Sequence, residues 1–204
     1  AEQMMNRHDC TVTGVTLSAE QFAFAQRRLL DRTLAGRCDL RLQDYRDVRG
    51  DYDRIVSIEM LEAVGEAYWP TYFEKLRDSL RPGGVAVLQV ITIDDARFEN
   101  YRRRPDFIQK YIFPGGMLPT TQIIEREVTS AGLQLVCKEF FGDSYARTLE
   151  EWRHRFQKSW PTIEALRFDE RFKRTWEYYF SYCQVGFEVG ALNVGFYKIT
   201  RTAP

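Results

Sequence analysis

The chain has 204 residues, 29 Lys and Arg against 29 Asp and Glu, and 44% hydrophobic residues, enough for one α/β domain with a buried core but too little for two full domains. Its zero net charge provides no global field to draw nucleic acid or an anionic membrane, so any such partner must be recognised locally. No apolar run approaches the roughly 20 residues of a membrane span, the polar start "AEQMMNRHDC" does not read as a signal peptide, and the cysteines are scattered at 10, 38, 137 and 183; the expectation is a cytoplasmic protein with free thiols and no metal site.

Residues 1 to 8, "AEQMMNRH", read as the tail of a helix whose own strand lies upstream. "CTVTGVTLS" (10 to 18) is β-branched and apolar, and Ser18 caps "AEQFAFAQRRLLDRTLAG", whose apolar residues recur at helical spacing. "CDLRLQDY" (38 to 45) and "YDRIVSIEM" (52 to 60) read as further strands. "EAYWPTYFEKLRDSL" is amphipathic, "RPGG" a turn, and "VAVLQVITI" a fourth strand. Strands alternating with helices of this length predict crossover connections and a parallel sheet. Residues 94 to 119 have no clean period and read as an active-site lid or binding insertion. "TTQIIEREVTSAG" restores a helix and "LQLVCKEFF" a strand; 147 to 187 is an aromatic-rich helical block, and "ALNVGFYKITR" closes with a strand.

Parallel α/β sheets bind ligands beyond the carboxyl ends of their strands. At the first such end Thr16, Ser18 and Gln21 offer groups that suit a ribose, and Asp44 with Tyr45 suits an adenine; helix capping and a solvated turn explain them equally well. Glu59 and Glu62 follow the apolar run of the third strand, where alternation separates Glu59 from Met60 and leaves Glu62 in an overhanging loop. A carboxylate there can orient a base or carry a proton. Two solvated loop acids are the plainer reading, although acids among Met, Leu, Ala and Val fit it poorly. "DFIQKYIFPGGMLP" suits the wall of an apolar pocket as well as a core beneath a lid. "TWEYYFSYC" places Trp176, Tyr179, Phe180 and Cys183 on one helical face. A glycine-rich cofactor turn is absent from the 204 residues, so the expectation is one N-terminally incomplete domain over 1–204, with an insertion at 94–119 and a helical cap at 147–187.

Together, "VTGVTLSAEQ", "LQDYRDVRGDYDRIVSIEMLEAVG", "DFIQKYIFPGGMLP" and "RTWEYYFSYC" resemble the cyclopropane-fatty-acyl-phospholipid synthase family, which includes the mycolic acid cyclopropane synthases. The resemblance implies a Rossmann-like class I methyltransferase sheet with a helical lipid-binding cap. It also implies S-adenosylmethionine as cofactor and a bicarbonate ion as base. It places cofactor contacts at Thr16, Leu17, Ser18, Gln21, Gln43, Asp44, Tyr45 and Ile58. It places the chemistry at Glu62, Gln89, Ile91, Tyr145 and Cys183, and the acyl chain against Phe107, Tyr111, Phe113 and Tyr179.

The implied reaction is methyl transfer to the cis double bond of unsaturated phospholipid acyl chains, at the inner membrane face and with room for a homodimer. Many bacterial members carry His where this chain has Gln89, which keeps a hydrogen-bond donor but loses a titratable ring. The alternatives are an amine N-methyltransferase on the same scaffold and an inactive lipid-binding domain. On this reading Glu62 does chemistry, and Glu59 lies beside the cofactor or outside it.

Overall fold

In the computed structural model, which describes residues 1–202, the chain divides into two units, Ala1–Gly50 and the residues from Asp51 onward, each with its own sheet. The first unit contains α1 (Glu2–Arg7), β1 (Val12–Thr16), α2 (Ala19–Asp31) and β2 (Cys38–Leu42). Ser18 caps α2 through its side chain as the sequence predicts, accepting from the Gln21 amide at 3.1 Å. β1 and β2 pair in parallel from Val12 opposite Cys38 to Thr16 opposite Leu42. Met5, Leu29 and Leu34 form the buried centre of this unit, with Cys10, Val12, Cys38 and Leu40 packed on it.

The second unit runs β3 (Tyr52–Ile58), α3 (Leu61–Val64), α4 (Trp69–Ser79), β4 (Leu80–Ile93), α5 (Asp95–Arg103), α6 (Phe107–Tyr111) and α7 (Thr121–Ser130). It continues with β5 (Gln134–Phe140), α8 (Gly142–Lys158), α9 (Trp160–Ala165), α10 (Glu170–Glu188) and β6 (Leu192–Thr200). Its sheet has the order β3-β4-β6-β5. β3 and β4 are parallel as expected, but β6 runs antiparallel to both β4 and β5, so the sheet is mixed. Strand direction depends on where the intervening helices deliver the chain, which no local pattern encodes.

β4 is the spine. Ala86, Leu88, Val90 and Thr92 are buried, while Gln89 and Ile91, alternating with them, share the opposite and more open face. That alternation aims the Gln89 side chain into the site described below, and the end of β3 opposite Gln89 leaves the Ile91 backbone amide open to it. The insertion at 94–119 holds two short helices that its composition hides: Asp94 caps α5, and Asp106 caps α6 through a capping box with Gln109. Among the described residues no helix is long and apolar enough to cross a membrane.

Gly195 on β6 faces Phe140 on β5. A Cβ there would lie 2.7 Å from the Phe140 ring and 2.9 Å from the Glu139 carbonyl oxygen. Gly195→Val is therefore expected to destabilise the fold by about 1–3 kcal/mol through overpacking, read as a lower urea midpoint at unchanged slope.

Candidate active site

The β3–β4 ladder ends with Ile58 opposite Gln89 and a hydrogen bond donated by the Glu59 amide to the Gln89 carbonyl oxygen at 2.8 Å. β3 stops two residues short of the 52 to 60 read from the sequence, because Glu59 turns into the left-handed region at φ 51, a conformation that costs a non-glycine residue energy. The chain then enters α3, so Glu62 lies in the first turn of a short helix rather than in a loop.

Two carboxylates three residues apart thereby acquire different surroundings. Glu62 Oε1 accepts the Ile91 amide at 2.7 Å, while its Oε2 is buried with no hydrogen-bond partner. Burial raises its pKa from the ordinary 4.5 to about 7, the Ile91 amide working against the rise and the nearby Glu59 charge adding to it. The lid segment seals this environment: the Met117 amide donates to the Glu62 carbonyl oxygen at 2.9 Å. A Cβ on Gly116 would come within 3.6 Å of that same oxygen and 3.1 Å of the Phe113 carbonyl oxygen.

Glu59 instead accepts two donors on one oxygen. Gln89 Nε2 donates to Glu59 Oε1 at 2.8 Å, and the Tyr145 hydroxyl donates to the same atom in a short hydrogen bond. Gln89 Nε2 also lies 2.9 Å from the Tyr145 hydroxyl oxygen, closing a triangle. Burial first, and then the Glu59 carboxylate that accepts its proton, push the Tyr145 phenol well above its usual range. Tyr145 arrives from α8, whose start is fixed where the Phe141 amide donates to the Val194 carbonyl oxygen at 2.9 Å and the Gly142 amide to Asn193 Oδ1 at 3.2 Å.

Ile91, Tyr145, Tyr179 and Cys183 all pack on one buried cluster of Ala146, Leu149, Phe180, Phe187 and Val194. Burial pushes the Cys183 thiol up to about 12, so it is a neutral group packed in the same cluster as Tyr179 and lacks the thiolate that nucleophilic chemistry needs. Tyr111 and Phe113 sit at the surface instead, 66% and 57% exposed, while Phe107 is half-buried with its ring centroid 5.6 Å from that of Tyr111.

The expected cofactor residues of the first unit form a connected turn. Thr16 Oγ1 donates to Gln21 Oε1 at 2.9 Å and accepts the Ser18 amide at 3.1 Å, and the Gln43 amide donates to the Thr16 carbonyl oxygen at 3.0 Å. Asp44 accepts from Nε and Nη2 of Arg46 at 3.0 and 2.7 Å, and these bonds hold its carboxyl below the usual range. Leu17 is exposed, as is Ile58 at the end of β3 in the second unit.

The triangle of Glu59, Gln89 and Tyr145 is the part that sequence reading did not find. Glu59 and Tyr145 stand 86 positions apart, and no periodicity links them. The one local signal was an acid directly after a strand end.

The fold matches a solved structure, the cyclopropane synthase MmaA2 from Mycobacterium tuberculosis, with TM-score 0.88 and 27% identity, covering 97% of this chain and 72% of that one; it is the class I methyltransferase fold. Tuberculostearic acid methyltransferase UfaA1 of M. tuberculosis is 43% identical over 194 residues, covering 95% of this chain and 45% of that protein. The cyclopropane-fatty-acyl-phospholipid synthase of Escherichia coli K12 is 39% identical over 191 residues, covering 92% and 46%. The chain thus spans less than half the length of these two curated relatives. The profile of the mycolic acid cyclopropane synthetase family matches residues 1–197, and the chain belongs to that family.

The raised Glu62 carboxyl has a thermodynamic signature. The unfolded chain releases this proton near 4.5 and the folded chain near 7, so between those values the folded state holds a proton that the unfolded state has lost. The stability Glu62 contributes is present below about pH 4.5 and falls as pH rises, by on the order of 3 kcal/mol in all. Glu62→Gln removes this titration, so the variant should gain stability relative to the parent chain between pH 5 and 8, as measured by urea unfolding. A difference that does not vary with pH would mean that Glu62 is not buried as described.

Proposed function

We propose that the protein transfers a methyl group from S-adenosylmethionine to the cis double bond of an unsaturated phospholipid acyl chain, forming a cyclopropane ring. The single observation that carries this reading, beside family membership, is the buried Glu62 carboxyl with an unpartnered oxygen at the end of β3. Thr16, Leu17, Ser18, Gln21, Gln43, Asp44 and Tyr45 of the first unit are the proposed cofactor contacts. When bound, the cofactor supplies an electrophilic methyl that a π-bond can attack.

Methyl addition leaves a carbocation on the acyl chain, which must be kept from water until a proton leaves the new methyl. The aromatic side chains of the cluster around Tyr145, Tyr179 and Phe187 suit that task, since ring faces stabilise a cation and exclude water. Glu62 is the proposed anchor for the proton-accepting base. Its residues fit a small oxyanion such as bicarbonate on one condition: two carboxylates facing an anion would repel it, but a carboxyl that titrates near neutrality can present an O–H from Oε2. The protons of Tyr145 and Gln89 are already given to Glu59 and within the pair, so these two side chains act as a wall beside the carboxyl, held in direction by Glu59. The Ile91 amide, already given to Glu62 Oε1, fixes the orientation of that carboxyl. Cys183, neutral and packed on Tyr179, serves the site as wall rather than nucleophile.

Supplied with S-adenosylmethionine and unsaturated phospholipid vesicles, the protein should yield cyclopropane chains detectable by mass spectrometry; methylation of small amines with no change in the lipid would overturn the reading. Glu62→Gln should lower turnover by about 10²–10⁴-fold, the range of a lost acid–base group, with cofactor affinity nearly unchanged. Glu59→Gln, which keeps an amide oxygen for Tyr145, should cost about tenfold or less, as expected for a positioning role.

A further inference from the structure

The outward face of α10 is the least explained surface of the second unit. Tyr178, Tyr182, Val185 and Val189 follow one another at helical spacing and are 52%, 38%, 53% and 62% exposed. Soluble domains rarely leave such a stripe uncovered without a use for it. The stripe also continues onto a second element. Phe107 of α6 meets Tyr178 edge-on with ring centroids 4.6 Å apart, and Tyr182 at 6.3 Å. The Tyr182 hydroxyl donates to Asp106, the cap of α6, at 2.8 Å. Tyr111 and Phe113, both exposed, extend the apolar area.

Charge selects the partner. The segment from Tyr101 to Phe113 holds Arg102, Arg103, Arg104 and Lys110 against a single acid, Asp106, and that acid is occupied by Tyr182. Arg102 and Arg103 are paired to Glu66 and Glu99. Arg104 and Lys110 are exposed and have no ion pair among the described residues. Arg171 and Arg174, seven and four residues before Tyr178 on the same face of α10, are likewise exposed and unpaired. The acids of α10 are Glu170, near Lys173 at 4.0 Å, Glu177, bonded to Gln157, and Glu188, bonded to Gln184. In a chain of zero net charge this is a local array of free cations beside tyrosines and valines. Such a surface suits the headgroup level of an anionic bilayer, where amphipathic rings and basic side chains both gain.

We infer that the α10 stripe together with α6 is the surface by which the protein seats on an anionic phospholipid bilayer. The inference rests on the proposed lipid substrate and deepens it, because the inner side of the same helix carries Tyr179 and Cys183 of the candidate site. One helix would then face the bilayer with one side and the reacting chain with the other. Tyr111 and Phe113 would mark where an acyl chain enters rather than where it reacts.

The test is co-sedimentation of the 204-residue chain with phosphatidylcholine vesicles, with and without phosphatidylglycerol, without cofactor. Binding is expected on the anionic vesicles only and should weaken in high salt. Arg171→Glu with Arg174→Glu, and separately Tyr178→Glu with Val185→Glu, should each lower it at least about tenfold. The equal charge change Arg147→Glu with Lys158→Glu on α8 should lower it much less, and circular dichroism melts should match the parent chain for every variant. No binding to anionic vesicles, or equal loss from the α8 control, overturns the inference. So does a stripe variant that converts a dimer to a monomer in sedimentation with vesicle binding intact, which would assign the face to a second copy. Methyl transfer to detergent-dispersed lipid without vesicle binding would remove only this inference; vesicle binding without transfer to any lipid would remove only the proposed function.

Discussion

A carboxyl group taken out of water at the end of a strand must be compensated locally or hold its proton, and Glu62 does part of each. One amide, from Ile91, meets one oxygen; the other oxygen meets none. That arrangement exists because the β3–β4 ladder ends at Ile58 opposite Gln89, so the next amide of β4, that of Ile91, meets the Glu62 side chain instead of a β3 carbonyl. It also depends on the lid segment, whose Met117 amide closes over the Glu62 backbone. Loosening either one admits water, and the carboxyl then returns to an ordinary acid with no reason to titrate near neutrality.

The contrast with Glu59 is informative because the two acids are nearly adjacent in sequence. Glu59 is satisfied twice on a single oxygen and holds two donors from β4 and α8 in fixed directions. It does so from a left-handed backbone conformation that a glycine would adopt at lower cost, so the local strain is sustained by the hydrogen bonds the side chain makes. Burial raises the Glu62 carboxyl, whereas hydrogen bonds fix the direction of the Glu59 side chain.

α10 joins this site to the outside. Phe180 and Phe187 are buried in the cluster that carries Tyr145, Tyr179 and Cys183, while Tyr178, Tyr182, Val185 and Val189 turn away from it. An ordinary amphipathic helix would present charge on that second side. This one presents Arg171 and Arg174 at its start and then the tyrosines and valines of the stripe, with Glu188 near its end tied to Gln184.

Much of this was legible in the residues themselves. Ser18 declared the start of α2 by its capping chemistry, the apolar run of β3 declared a strand, although it is an edge strand with Val56 and Ile58 exposed rather than a buried one, and the spacing of Trp176, Tyr179, Phe180 and Cys183 declared a packed helical face, because each depends on neighbours within a few positions. The motif resemblance added the family and pointed to Glu62. The antiparallel entry of β6, the two helices inside the 94–119 insertion, the φ of Glu59 and its triangle with Gln89 and Tyr145 were not legible. Periodicity reports which face a residue shares with its near neighbours; it carries no information on which distant residue will share a hydrogen bond. Local sequence therefore determined the elements and the candidate acids, whereas the pairing of β3, β4 and β6 and the docking of α8 on them decided which acid is buried with a bare oxygen and which is bound by a phenol and an amide.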